Sequence, residues 1–128
     1  MRILLDTHAL LWWLSGDASL SARARAAIAD EGNEVHVSAA SAWEVTTKHR
    51  LGKLPGAGPL AVDFAREVTA QRFIPMPITL QHGQSAGALQ GQHRDPFDLM
   101  LIAQAREERM ALISNEVAFD AYGITRIW

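Results

Sequence analysis

Short apolar runs alternate along this chain with longer segments whose apolar residues recur at helical spacing. Arg2 to Leu5 reads as a short buried strand, and Thr7 to Leu14 as a helix stopped by Ser15-Gly16-Asp17. Ser19 to Ala29, rich in alanine and arginine, is helical by propensity, and Gly32-Asn33 ends it. Glu34 to Ser38 alternates as a second strand. Ala39 to Arg50 reads as a third helix, closed by Gly52. Pro55 to Pro59 reads as a loop, and Leu60 to Ala70 as a helix on the spacing of Leu60, Phe64 and Val68. A third strand is predicted over Arg72 to Met76, with Pro75 and Pro77 cutting it off. Helices over Leu80 to Leu89 and Pro96 to Arg106, a strand over Met110 to Ser114, a short helix over Val117 to Tyr122 and a last strand over Ile124 to Trp128 complete the pattern. Strands alternating with helices imply right-handed crossovers. The expected architecture is three-layer α/β, a mainly parallel sheet of four to five strands flanked by helices, in a single domain over residues 1–128.

That pattern gives the acidic residues a meaning. Asp6 closes the run Ile3-Leu4-Leu5, Glu44 follows the second strand, Asp98 opens an apolar helix, and Glu116 follows Ala111-Leu112-Ile113-Ser114. Asp95 is a fifth candidate. In an open parallel sheet, ligands bind in the crevice beyond the carboxyl ends of the strands. Carboxylates gathered there repel, at about 4 kcal/mol per pair for ~4 Å and an effective dielectric of ~20. A hard divalent cation removes that cost, and Mg²⁺ or Mn²⁺ prefers oxygen ligands. The arrangement points to a metal-dependent enzyme acting on phosphate.

Each acid also has a purely structural reading. Asp6 can cap the helix that starts at Thr7. Ser41-Ala42-Trp43-Glu44 fits a capping box. Asp95-Pro96-Phe97-Asp98 has the form of a helix start, with Asp95 the best pure cap among them. Glu116 can be a solvated loop acid. The structural reading of the whole set requires several independent caps to fall at one sheet edge. His8 and His93 are candidates for ligand or acid–base work, against packing and loop hydrogen bonds. Trp12, Trp13 and Trp43 belong to the core by residue type, but the adjacent Trp12 and Trp13 cannot both face inward, since neighbours on a helix stand about 100° apart.

Composition narrows the field. The chain contains no cysteine, so neither a disulfide framework nor a thiolate zinc site is possible. Neither a Walker nor a dinucleotide glycine fingerprint occurs, nor a Gly-x-Ser-x-Gly elbow. The longest apolar run near the N-terminus, Ala9 to Leu14, falls far short of a membrane span of about 20 residues; the expectation is a soluble, cytoplasmic chain. A net charge of −2 argues against bulk nucleic-acid binding. A local basic rim can still hold a phosphate chain, and Lys48, Arg50 and Arg94 are its candidates. The competing reading of Lys48-His49-Arg50 is a solvated helix end.

The same stretches resemble a known family. Ile3-Leu4-Leu5-Asp6-Thr7-His8-Ala9-Leu10-Leu11-Trp12 resembles the opening of PIN-domain proteins of the VapC toxin type. Ser41-Ala42-Trp43-Glu44-Val45, with Lys48 and Leu51-Gly52-Lys53-Leu54, is similar to the second family block. His93-Arg94-Asp95-Pro96-Phe97-Asp98, running into Leu101-Ile102-Ala103-Gln104-Ala105, resembles the third, and Leu112-Ile113-Ser114-Asn115-Glu116 with Phe119 and Tyr122-Gly123 the last. The resemblance implies a PIN-like fold and a Mg²⁺-dependent endoribonuclease, with Mn²⁺ as a substitute. Carried over by position, Asp6 and Asp98 are the principal metal ligands and Glu44 supports them. Glu116 stands where the family usually has aspartate, one methylene shorter. Asp95 is a secondary candidate. The resemblance further implies an RNA substrate, a cognate protein antitoxin and a homodimer.

The expected reaction is metal-assisted hydrolysis of an RNA phosphodiester, leaving 5′-phosphate and 3′-hydroxyl ends. The alternatives are a PIN-type nuclease of RNA processing without a toxin role, a metal-free ribonuclease using His8 and His93, and a silent binding module whose acids are only caps.

Overall fold

The structure, a computed structural model, describes residues 1–93 and 95–128. In chain order it runs β1 (Arg2–Leu5), α1 (Thr7–Ser15), α2 (Ala22–Ala29), β2 (Glu34–Ser38) and α3 (Ala39–Arg50). A 3₁₀ turn (Pro55–Ala57) leads into α4 (Gly58–Val62), α5 (Phe64–Ala70), β3 (Ile74–Met76), α6 (Leu80–Ala88) and α7 (Pro96–Glu107). β4 (Ala111–Ile113), a 3₁₀ helix (Val117–Tyr122) and β5 (Arg126–Ile127) follow. The strands form one sheet in the order β3-β2-β1-β4-β5, and every neighbouring pair is parallel. The expected fold class holds.

Strand periodicity sorts the core into two layers. Ile3 and Leu5 point to one face of the sheet, in register with Val35 and flanked by Ile113. They pack with Ala9 and Leu10 of α1, Ala24 and Ile28 of α2, Leu60 of α4 and Val68 of α5. Leu4 and Leu112 point the other way, onto Leu101, Ile102 and Ala105 of α7 and the fully buried Phe119. α3 feeds both layers, with Val45 in the first and Ala40 in the second.

Two of the departures from the sequence reading have a plain local cause. The predicted helix Leu60–Ala70 is broken at Asp63, which leaves helical geometry (φ −147°, ψ 82°) and accepts a hydrogen bond from the Arg66 N–H as the N-cap of α5. The expected Pro55–Pro59 loop is mostly helical, because Pro59 falls within the first turn of α4, where its missing N–H costs nothing. Pro75 sits inside β3 but at the sheet edge, where no ladder donor is needed on its outer side.

The order places a switch point between β1 and β4: the chain leaves β1 towards β2 and β3, then returns across the sheet through α6 and α7 to β4. Helices that follow strands start at the carboxyl rim, and α7, which precedes β4, also starts there. The rim therefore collects Asp6, the first turns of α3 and α7, and the segment after β4.

Candidate active site

Asp6 is the residue that turns β1 into α1. Its N–H donates to the Ile113 carbonyl (3.0 Å), continuing the β1–β4 ladder. Its side chain caps α1, with Oδ1 accepting from the Ala9 N–H at 2.8 Å. The carboxyl is almost wholly buried. Burial pushes its pKa above the ordinary 3.8; hydrogen bonds from Ser114 and the Ala9 N–H and the charge of His8 pull it down, and Glu116 adds to the rise. Asp6 is thus both the cap and a carboxyl whose charged form is disfavoured by burial, and the two readings of the sequence are compatible. Glu116, at the entry of the 3₁₀ helix, is exposed and makes no side-chain cap bond.

Glu44 lies one and a half turns into α3 and is buried. The capping-box reading of Ser41–Glu44 is incorrect. α3 begins earlier, because Ser38 caps it by accepting from the Ala40 N–H (2.9 Å). Ser41 instead shares a hydrogen bond with Thr7 of α1, Oγ to Oγ1 at 3.0 Å. Glu44 Oε2 accepts from Lys48 Nζ at 2.5 Å, and Oε1 is buried without a hydrogen-bond partner. Burial pulls the Lys48 ammonium down, but the bond and charge of Glu44, with Asp95 and Asp98 beyond, hold its pKa above the ordinary value.

Asp98 stands in the first turn of α7. Burial pushes its pKa up to about 6; a hydrogen bond from His93 lowers it, and the charges of Asp95 and Glu44 raise it again. His93 Nε2 lies 2.7 Å from Asp98 Oδ2, and its ring meets Phe119 edge-on at 5.5 Å. Asp95 caps α7, with Oδ1 accepting from the Phe97 and Asp98 N–H groups.

The rim therefore holds two adjoining groups of acids. Asp6 and Glu116 interact at the β1–β4 switch point, and Glu44, Asp95 and Asp98 interact where α3 meets α7. Thr7 and Ser41 bridge the groups. Among the described residues, no three His, Asp or Glu side chains converge closely enough to enclose an ion as they stand. The donor chemistry nevertheless fits a hard divalent cation: all-oxygen ligands, two carboxyls raised by burial and like charge, and an orphaned buried Glu44 oxygen.

The basic candidates are distributed differently. Lys48 is engaged by Glu44 rather than free for phosphate. Arg50 is exposed at the end of α3. Arg94 lies outside the described residues. The sequence reading missed the His93–Asp98 pair as a unit, although both belong to one motif; it also missed Ser114, whose only signal is its place at the end of β4. His8 is exposed, with its ring 5.6 Å from that of Trp12. Trp12 and Trp13 are both half-buried: Trp12 packs near Trp128 (5.8 Å between rings) and Trp13 near Phe73 (6.3 Å). Trp43, assigned to the core by residue type, is instead 64% exposed.

A family model described as PIN domain matches residues 3–124. Ribonuclease VapC16 of Mycobacterium tuberculosis is 37% identical over 62 residues, which is 48% of this chain and 43% of that protein, so the match spans less than half of the relative. Among solved structures, VapBC2 of Rickettsia felis, bound to a DNA fragment from its promoter, matches with a TM-score of 0.73 and 15% identity over 98% of this chain and 97% of that one. VapBC-1 of nontypeable Haemophilus influenzae matches at 0.67 and 16%, over 98% and 96%. VapC20 of Mycobacterium tuberculosis, a toxin that cleaves the sarcin–ricin loop, matches at 0.67 and 18%, over 96% of each chain. At such identities these structures share the fold.

Proposed function

The chain belongs to the PIN domain family, and from that premise we propose that it is a divalent-metal-dependent endoribonuclease, the toxin of a type II toxin–antitoxin pair. The observation that carries this reading is the acidic rim, where burial raises Asp6 and the half-buried Asp98 and an oxygen of the buried Glu44 has no partner. Burial and neighbouring acids disfavour the charged form of these carboxyls, and a cationic occupant would reverse that preference. The ribonuclease name of one relative and the loop-cleaving toxin among the fold neighbours favour RNA as the substrate. The VapBC structures favour a protein antitoxin as partner. A homodimer and a cytoplasmic location belong to the same proposal; no helix among the described residues is long and apolar enough to cross a membrane.

In this reading Asp6 and Asp98 are the principal ligands, and Glu44 Oε1 completes or supports them. These residues would hold Mg²⁺ or Mn²⁺, and the chemistry such an ion would supply there is Lewis-acid polarisation of a phosphate oxygen and acidification of a water. The protein's own residues do the positioning. Lys48 fixes Glu44 through Oε2 and leaves Oε1 available. His93 orients Asp98. The Thr7–Ser41 bond keeps α1 and α3, and with them Asp6 and Glu44, in fixed relation. Glu116, open to solvent beside Asp6, orients the attacking water, and Asp95 holds the first turn of α7. Arg50, at the far end of α3 from the carboxyl rim, and Arg94, named by the third sequence motif, are the remaining candidates for contact with the phosphate chain.

Sequencing RNA ends after induced expression, with Asp6→Asn and Asp98→Asn as controls, tests the proposal. New 5′-phosphate and 3′-hydroxyl ends are expected from the parent and none from the variants. Ends bearing 2′,3′-cyclic phosphate, or full cleavage in EDTA, would favour the histidine route and overturn this one.

A further inference from the structure

The amino edge of the sheet, opposite the acidic rim, carries a second concentration of charge, this time positive. Arg2 opens β1, Arg106 lies in the last turn of α7, and Arg109 joins α7 to β4. All three line one open cavity of about 660 Å³, whose other walls include Met110, Ile124 and Thr125. Among the described residues, no acidic side chain lines it. A cavity of this size falls within the range of small-molecule sites, roughly 300–1,000 Å³. The net charge of the chain is −2, so three guanidinium groups around one cavity are not the by-product of a basic composition.

The three arginines are not equivalent. Arg2 serves the fold. Its Nη1 donates to the Glu108 carbonyl at 2.9 Å, closing the end of α7, and its other nitrogens stand 4.0 Å from the Glu34 carboxylate and 3.7 Å from that of Glu108. Among the described residues, neither Arg106 nor Arg109 forms a salt bridge. Arg106 has a local reason to be basic, since a cation favours the negative end of a helix. Arg109 adds a second cation at a backbone cost. Its φ of 54° is left-handed, in a turn that closes with the Met110 N–H on the Ala105 carbonyl at 2.9 Å. Glycine is the preferred residue at such a helix end, because a Cβ is crowded there.

Two guanidinium groups without a counter-charge call for an occupant with two negative charges. A carboxylate or a phosphodiester carries one. A phosphate monoester carries about 1.5 to 2 at pH 7 and presents three acceptor oxygens, which the planar N–H forks of arginine bind in pairs. Met110 and Ile124 offer apolar wall that a bare ion does not use and an organic body does. We propose that this cavity binds a small phosphate monoester, with Arg106 and Arg109 on the phosphate and the organic body against Met110 and Ile124. The site is independent of the ribonuclease reading, since it lies at the other end of the strands from Asp6, Glu44 and Asp98.

Adenosine 5′-monophosphate is the probe. It is titrated calorimetrically into the full chain in about 0.15 M salt, where long-range attraction between exposed charges is screened, with EDTA present so that the acidic rim cannot hold the phosphate through a metal. Binding is expected, with adenosine and inorganic phosphate each weaker by at least about tenfold, and Arg106→Ala and Arg109→Gly should each lose about tenfold, the order of one charge-assisted hydrogen bond. Arg109→Gly also separates binding from folding: glycine relieves the left-handed backbone, so this variant should melt no lower than the parent while binding less. Arg72→Gly is the control. Arg72 is the other non-glycine residue with positive φ (61°) among the described residues, but it lines a different cavity with Asp30 and Glu31, and its loss should leave the affinity unchanged. Absence of binding, adenosine as tight as its monophosphate, or an affinity unchanged in Arg109→Gly would overturn the site. So would an equal loss in Arg72→Gly, which would reduce the effect to overall charge. Inorganic phosphate as tight as the monophosphate would overturn the place given to the organic body. RNA cleavage plays no part in the readout, so a failure of the ribonuclease reading leaves this test standing.

Discussion

Lys48 Nζ stands 2.5 Å from Glu44 Oε2, one helical turn further along α3. The carboxylate is buried and the ammonium is partly open, so the lysine serves as a resident counter-ion in a rim crowded with negative charge. Removing one partner of such a pair leaves the other charged and unpaired. Lys48→Met should therefore lower the stability of the metal-free protein by about 2 kcal/mol, less than the full cost of a buried pair because Lys48 reaches solvent. Added Mn²⁺ should return more of the lost melting temperature to this variant than it adds to the parent. Equal thermal shifts with and without Mn²⁺ would show that the ion does not share the pocket with Lys48.

Asp98, raised from the ordinary 3.8 to about 6, dictates a pH dependence. Its folded pKa lies above its unfolded one, so between these values the folded chain binds more protons than the unfolded chain. Stability then falls as pH rises through that window. Asp6, raised in the same direction, adds to the trend. The melting temperature of the metal-free protein is expected to drop from pH 4 to pH 6.5, and the drop should flatten in Asp98→Asn. Mn²⁺ affinity should weaken below pH 6, as the proton competes for the same oxygen.

His93 holds Asp98 at 2.7 Å and touches neither of the other buried acids by hydrogen bond. Partners that orient a metal ligand are typically worth about 10- to 100-fold in affinity or activity. His93→Ala should weaken Mn²⁺ binding by calorimetry about tenfold, with the fold retained. An unchanged isotherm would reduce His93 to a packing contact on Phe119.

Asp95 offers a separation of cap from chemistry. Its Oδ1 accepts from two backbone N–H groups, a bond that asparagine can also make. Asp95→Asn should keep both the fold and most of the RNA cleavage, while Asp95→Ala should cost about 1 kcal/mol in a denaturant titration. Loss of cleavage in Asp95→Asn equal to that of Asp98→Asn would restore Asp95 as a ligand.

Asp6→Asn keeps a side-chain oxygen for the Ala9 N–H and removes a buried charge. The metal-free variant should melt no lower than the parent at pH 7.5, and RNA cleavage should vanish. A variant that both melts normally and cleaves normally removes Asp6 from the chemistry.

The chain alone determined most of the elements, because their signals are local: the run Ile3-Leu4-Leu5 before an acid, alanine-rich helix, proline after Asp95. It also determined which acids were candidates, since each sits next to a strand end or helix start that the pattern reveals. Tertiary structure decided what each acid is bonded to. Whether Glu44 reaches back to Ser41 or forward along the helix to Lys48 depends on where α3 begins, and that is set by Ser38 at the end of a strand paired on both sides. The exposure of Trp43 was equally invisible, because burial is fixed by what packs against a residue and not by the residue's own hydrophobicity. The division of the acids into two bridged groups came only from the sheet order, which brings β1 beside β4 across more than a hundred residues of chain.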